Sequence, residues 1–267
     1  MVVGLCMQKI YILGYGKMAE AIALSLSSYT DFSLCIAGRN QQKALCLAKK
    51  CECSKNQIEV CTGEDFCGQI ARQDFLGEAI LLFALKPYAL SSVRINGHFK
   101  AVYSIAAFVT LKELELAFSA DSFVRAMPNI AARHKKSFTA LYAHKQEELA
   151  SKVFGSCGQV FWLSSESKFE AGMAISGCSP AYLAMVAESL SDAGVREGLS
   201  REESNAFVRG LFEGFSALLQ ETHPVSIKEE VSSPSGTTIE GVALLESRAL
   251  RSAFIDAIHA VIQKSRS

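Results

Sequence analysis

Two short stretches of this 267-residue chain hold the residue types that chemistry needs. Residues 233–246, SPSGTTIEGVALLE, run a Pro-Ser-Gly turn into two threonines and then into an apolar-periodic helix. Such a turn leaves backbone N–H groups and the Thr237 and Thr238 hydroxyls at a helix N-terminus, which makes a receptor for a carboxylate or phosphate. Near the other end, residues 14–19 read GYGKMA after an apolar strand and before a helix, the context in which a glycine pattern serves a dinucleotide. One end therefore points to a redox cofactor and the other to a small acidic substrate.

At the glycine turn, Gly14 permits the tight bend, and Gly16 lets a pyrophosphate approach the backbone that Tyr15, Lys17 and Met18 share. Ala19 allows close packing of helix on strand. The second strand ends Ala37-Gly38-Arg39-Asn40, with no acid to hold a ribose 2′-hydroxyl. Arg39, with Asn40 beside it, is instead placed to pair with a 2′-phosphate, so the expectation is NADP, with NADPH preferred and NADH possible. The fourth strand ends Leu85-Lys86-Pro87, where ligands of open parallel sheets gather. A plainer reading stays open at each place: a turn with no ligand, an arginine merely exposed at a strand end, a solvated lysine.

Composition narrows the class. Lysine plus arginine and aspartate plus glutamate balance at 27 each, which gives no electrostatic case for nucleic acid or an anionic membrane. Partners are expected to be small molecules or other copies of the chain. The nine cysteines are odd in number and mostly sit inside apolar runs, as reduced thiols in a cytoplasm would. No Cys-x-x-Cys occurs and the histidines are isolated, so no metal site is expected. Cys51-Glu52-Cys53 is read as core thiols in preference to a redox switch. The first residues lack a cationic region ahead of a long apolar one, and no apolar run approaches the roughly 18 residues of a membrane span.

The elements that must position these residues alternate from Lys9 onward. Strand-length apolar runs KIYIL, FSLCIA, IEVCT, AILLFAL, AVYSIA and SFVRAM are separated by helix-like segments. Continuous rather than alternating apolarity means strands buried on both faces, hence a doubly wound, mostly parallel α/β sheet. Residues 139–143 and 159–163 are expected to add edge strands around a helix near 146–154. After Ser164 strand signals vanish, which divides the chain into a sheet domain at 1–164 and an all-α domain at 165–267. There, Ser179-Pro180 reads as an N-cap with proline at the first helical position, and Gly194 as the end of a buried helix. Ser200 to Glu203 fits a capping box opening a helix with the stripe Phe207, Leu211, Phe215, Leu218, where Gly210 and Gly214 permit close approach of another helix. One last helix carries Ile239, Val242, Ala243, Leu250, Ala253, Phe254, Ala257, Ile258 and Val261 on a single face. So much apolar surface in so small a helical unit is expected to be covered partly by a second subunit.

Taken in order, GYGKMAEA, LKP, SIAA (104–107), VRAMPNIA (124–131), SGCSPAY (176–182) and SPSGTTIEGVALLE resemble Δ1-pyrroline-5-carboxylate reductase over nearly the whole chain. The combination of Met-Pro-Asn, Ser-Pro-Ala-Tyr and Gly-Thr-Thr is the specific part. The resemblance implies a Rossmann domain followed by a helical dimerisation domain, and reduction of a cyclic imine to L-proline by NAD(P)H. It adds Ala106, Ala107 and Asn129 to the cofactor contacts and Ser179 to the substrate contacts. An imine nitrogen is basic enough to be protonated around hydride transfer, so such a site needs positioning rather than a metal or a strong acid. The carboxylate would be held by N–H groups around Ser235, Gly236 and Thr237. The Thr238 hydroxyl would reach the ring nitrogen and relay a proton, and Glu221 would help orient that nitrogen through water; plain helix capping for the threonines and a surface role for Glu221 stay open. Glu246 is read as a structural ion-pair partner.

Departures from the family pattern are Phe108 where Gly follows SIAA, Ile130-Ala131 where Thr-Pro follows Met-Pro-Asn, Ser235 where a second Gly stands, and the milder Cys178-Ser179. A rival reading is a β-hydroxyacid-dehydrogenase-like oxidoreductase, but that needs a lysine with an asparagine three or four residues on, and Lys168 is followed by Phe-Glu-Ala-Gly. Another is a non-catalytic NADP-binding protein, for which Phe108 and Ile130-Ala131 are the support.

Overall fold

The structure, a computed structural model, describes residues 7–52, 58–74 and 76–266, with residues 265 and 266 described by backbone alone. Contacts divide it into two units, Met1–Cys178 and Ser179–Ser267.

The first unit alternates β1 (Gln8–Leu13), α1 (Lys17–Leu26), β2 (Phe32–Gly38), α2 (Gln41–Cys51), β3 (Glu59–Thr62), α3 (Phe66–Ala71), β4 (Ile80–Phe83) and β5 (His98–Ser104). It continues with α4 (Leu111–Ala117), β6 (Ser119–Met127), β7 (Ser137–Tyr142), α5 (Glu148–Gly155), β8 (Gly158–Trp162) and α6 (Glu166–Met173). The strands form one sheet in the order β3-β2-β1-β4-β5-β6-β7-β8. Every pairing is parallel except that of β6 with β7. All eight expected strands form; of the two expected at an edge, β8 is one, whereas β7 lies between β6 and β8, and β3 takes the other edge.

Successive side chains of a strand serve opposite faces, and here both faces are covered. Ile10 and Ile12 join Ala19, Ile22, Leu26 and Phe154 in one core, while Tyr11 and Leu13 join Phe66, Ile70, Leu111 and Leu114 in the other. That double burial is why these strands read as continuous apolar runs. Truncating a fully buried residue such as Leu82 to alanine costs about 2–5 kcal/mol.

Cys53 lies outside the described residues, so the reading of Cys51-Glu52-Cys53 is not addressed; Cys51 itself is buried.

The second unit is helical: α7 (Ser179–Arg196), α8 (Arg201–Glu221), α9 (Pro224–Val231), α10 (Thr237–Ser247) and α11 (Leu250–Arg266). The Ser200–Glu203 capping box forms with both of its hydrogen bonds.

By contacts α6 goes with the sheet unit, which runs to Cys178: Arg125, 2 % exposed on β6, pairs with Glu166 at 2.6 Å and lies 4.5 Å over the Phe169 ring. The same Glu166 oxygen accepts the Leu111 N–H at the start of α4. Four expectations are corrected. Ser179 is not a helix N-cap, since α6 runs through a π-turn at Ala174–Cys178 straight into α7. Pro180 has no N–H to give the carbonyl four residues back, and the widened turn accommodates that loss.

Gly194 does not end α7. The helix closes at Gly198 (φ 106), with Leu199 N–H donating to Gly194 O and Gly198 N–H to Val195 O, a Schellman arrangement. Gly194 is instead a point of close approach, where an added Cβ would run into Ser204 Oγ. Nor is α7 buried within one chain, as Leu183 and Met185 are exposed. Finally, the last helix is two, broken at Ala249 (φ 56), and Glu246 pairs with Arg251 at 2.6 Å across the break.

Candidate active site

The β1–α1 turn forms one wall of a cleft of ≈ 890 Å³ lined by Gly14 to Glu20, Lys43, Ala84 to Pro87 and Ile105 to Ala107. Gly14 has φ 115, and a Cβ there would meet Ala84 O at 2.8 Å, so only glycine lets the turn lie against the end of β4. Gly16 is the N-cap of α1 and brings no side-chain cap to the first N–H groups. Around it the space where a Cβ would stand is open. An exposed, uncapped helix start with open space before it fits a pyrophosphate.

Tyr15 braces this turn against β2: its ring lies where a Gly38 side chain would be, and its phenol oxygen accepts the Asn40 N–H at 3.1 Å. On the opposite wall, the Ser104 hydroxyl accepts the Ala106 N–H at 3.2 Å and holds the strand end that presents Ala106 and Ala107.

Of the expected cofactor residues, Gly14, Tyr15, Gly16, Lys17, Met18, Leu85, Lys86, Pro87, Ala106 and Ala107 line the cleft together. Arg39 and Asn40 do not line it. They stand exposed at the end of β2, and Asn40 caps α2 by accepting the Lys43 N–H. Asn129 is also absent from the lining, since its side chain caps a 3-10 turn at Ile130–His134 through the Ala131 N–H. Sequence reasoning missed Lys43, Ala84, Ile105 and Glu20. Lys43 stands four residues after Arg39, but its place in the cleft follows from the direction of α2 and not from that spacing; Glu20, in the first turn of α1, is partly neutralised by Lys50 at 2.6 Å.

Phe108 takes φ 64, a conformation that suits glycine and strains an aromatic residue. Phe108 lines a neighbouring groove with Tyr88, Arg94 and Leu116, and it is not among the residues that line the cleft.

In the helical unit Ser235 also takes a left-handed conformation, φ 61. That bend points the chain into α10, whose N-cap is Gly236 with no side-chain cap. Thr237 and Thr238 occupy the first two positions of the helix and are exposed, so neither is the cap. The start of α10 thus repeats the features of α1: a glycine N-cap, uncapped N–H groups, and here two free-standing hydroxyls on the first turn. Glu221 is the exposed last residue of α8. Ser179, half-buried, opens α7 directly after the π-turn. Among the described residues no cluster of three or more metal-ligating side chains occurs, and no helix is long and apolar enough to cross a membrane.

A family profile described as pyrroline-5-carboxylate reductase dimerisation matches residues 166–267, and one described as shikimate/quinate 5-dehydrogenase matches residues 2–81. The chain is 34% identical over 266 residues to a pyrroline-5-carboxylate reductase of Helicobacter pylori, covering 97% of this chain and 100% of that one. It is 36% identical to that of Synechocystis, covering 96% of each. Among solved structures, the pyrroline-5-carboxylate reductase of Coxiella burnetii superposes with a TM-score of 0.80 at 28% identity, covering 97% of this chain and 98% of that one. That of Streptococcus pyogenes gives 0.81 at 28%, covering 96% and 97%.

Proposed function

The chain belongs to the pyrroline-5-carboxylate reductase family, and from that premise we propose that it reduces Δ1-pyrroline-5-carboxylate to L-proline with NADPH. In this reading residues 1–164 hold the coenzyme, and residues 165–267 bind the substrate and join two copies into a cytoplasmic homodimer. What carries the assignment of roles is that two helices, α1 and α10, open on glycine N-caps that bring no side-chain cap. Each is suited to an anion, the first to a pyrophosphate and the second to a carboxylate.

The N–H groups at the start of α1 would hold the pyrophosphate, and Ala106, Ala107 and Lys86 would flank the nicotinamide side of the cleft. Lys43 within the lining and Arg39 at the end of β2 would favour a 2′-phosphate. No acid stands at the end of β2 to prefer the free hydroxyl. When bound, the reduced nicotinamide supplies the hydride that the imine carbon accepts. Ser235 and Thr237 would bind the substrate carboxylate through backbone N–H groups, while Gly236, whose own N–H closes the turn onto the Ser233 carbonyl at 3.1 Å, would let the carboxylate approach; there the helix dipole adds roughly 0.3–1 kcal/mol when exposed and more when water is excluded. The Thr238 hydroxyl would donate a hydrogen bond to the ring nitrogen and pass it a proton, with Ser179 and Glu221 contributing to its orientation.

The deciding experiment follows NADPH absorbance on addition of Δ1-pyrroline-5-carboxylate. Stoichiometric oxidation with appearance of proline is expected; no oxidation would refute the function. For the coenzyme, Arg39→Asp is expected to raise the Michaelis constant for NADPH far more than that for NADH, and equal effects would remove Arg39 from the 2′-phosphate.

A further inference from the structure

We propose that Cys35 and Cys61 form a peroxide-oxidisable dithiol at the edge of the sheet, and that its closure to a disulfide weakens coenzyme binding at the adjoining end of β2. The disulfide stands on the geometry alone, while its effect on the coenzyme rests on the reading of the cleft given above.

The two cysteines lie on neighbouring parallel strands, with Cys35 opposite Glu59 and Ala37 opposite Cys61. Residues two apart share a face, so both thiols enter the same core, beside Tyr11 and Phe66. Their sulfurs are 3.4 Å apart, with the Cys35 thiol donating to Cys61. A disulfide needs about 2.05 Å, so the strands must shift or a side chain rotate. β3 can give way, being a four-residue strand at the sheet edge, paired on one side only.

The pair is also polarised. Cys35 is fully buried, whereas Cys61 is 6 % exposed and is the one an outside oxidant meets first. The hydrogen bond from Cys35 holds the Cys61 thiol below its usual range, at about 7, and the Lys9 ammonium acts the same way against burial and the Glu59 carboxylate. Cys61 is therefore the nucleophile and Cys35 the resolving thiol. The Cys61 thiolate attacks one oxygen of hydrogen peroxide, the O–O bond breaks, and Cys61 sulfenic acid and hydroxide form. The Cys35 thiol then displaces water from that sulfenic acid, giving the disulfide. Overall two thiols are oxidised and one peroxide is reduced to two waters, and a dithiol reductant reverses the change.

The link to the coenzyme is short. Thr62, next to Cys61, pairs with Gly38, and Arg39 and Asn40 follow. Gly38 supports the Tyr15 ring, and the Asn40 N–H bonds the Tyr15 phenol. A shift of β3 toward β2 is thus delivered to a wall of the cleft.

The full chain would be treated with hydrogen peroxide, its remaining thiols alkylated, and the protein digested without reduction for peptide mass mapping. The expected result is a Cys35–Cys61 linked peptide that dithiothreitol removes, with dissociation of NADPH, followed by its fluorescence, weakened at least about fivefold in the oxidised protein. Cys35→Ser should leave Cys61 as a sulfenic acid that dimedone traps. Absence of the linked peptide at a peroxide dose that oxidises the exposed Cys46 would overturn the dithiol, and this wild-type measurement decides even if the variant does not fold. A disulfide with unchanged NADPH affinity would overturn the coupling. Failure of the reduced protein to bind NADPH would refute the reading of the cleft and the coupling with it, and the peptide map would still decide the disulfide.

Discussion

Ile12 and Leu82 in the sheet unit are 0 % exposed, while Phe207 and Leu211 in the helical unit, no less apolar and as regularly spaced, are 70 % and 54 % exposed. The sheet unit covers both faces of its strands with its own helices. In the helical unit the stripe of α8 is left exposed by the described residues, and an added Cβ at Gly210 or Gly214 would meet nothing among them within 4 Å. The same hydrophobic patterning therefore has two meanings here. In the first unit it describes a finished core, and in the second it describes half of one, in keeping with a family whose C-terminal part is a dimerisation domain.

The largest effect is expected from Glu166→Ala. It leaves the buried Arg125 guanidinium without its carboxylate and should cost about 3–5 kcal/mol. Because the pair lies within one chain, urea denaturation should show the same loss at every protein concentration; a concentration-dependent loss would break the contrast between the units.

Next is Leu211→Glu, which puts a charge into the uncovered stripe. We expect association to weaken by about 2–4 kcal/mol, with monomer appearing in sedimentation at micromolar concentration and apparent stability falling as the protein is diluted. An unchanged dimer would place the interface elsewhere.

Thr238→Ala should leave the fold and NADPH affinity intact and lower turnover by roughly 10- to 100-fold, the low end of general-acid help, since water can partly replace the hydroxyl. Steady-state kinetics with a parallel melting curve would check this. Normal turnover would relieve Thr238 of its chemical role.

The smallest effect concerns the two left-handed residues where the family pattern has glycine. Ser235→Gly should raise stability by about 0.5–1 kcal/mol by removing backbone strain at an exposed position. Phe108→Gly should gain less, because it also gives up the contacts of a half-covered ring. Thermal melts that reverse this order would mean that the Phe108 ring contributes nothing to its groove.

The strands were legible because burial on both faces leaves a local mark, and the α8 start because its capping box is a local pattern. What sequence did not disclose depends on distant partners. Gly194 and Gly198 are the same letter four residues apart, and only the position of Ser204 makes one a contact and the other a cap. Ala249 favours helix by propensity yet takes a left-handed conformation between α10 and α11. Ser179-Pro180 imitates a helix start, while the π-turn before it carries the helix through. Of the site, the glycine turns were readable as chemistry. Lys43 was not, because its place in the cleft follows from the direction of α2. The standing of Phe108 beside the cleft instead of within it likewise depended on its backbone angle.

The strand order carries a consequence for how the protein is made. β1 is laid down first and ends up inside the sheet, with β2 and β3 growing outward on one side and β4 through β8 on the other, each beside its predecessor. Apart from the single return to β1, every strand leaving the ribosome meets its partner as the most recently exposed edge, so few contacts must wait for distant sequence. The sheet can be complete when residue 178 emerges, before the apolar helices that follow it are synthesised. Vectorial translation thereby releases the stickier surface only after the sheet, and shortens the interval in which a nascent chain can pair before its own sheet has formed.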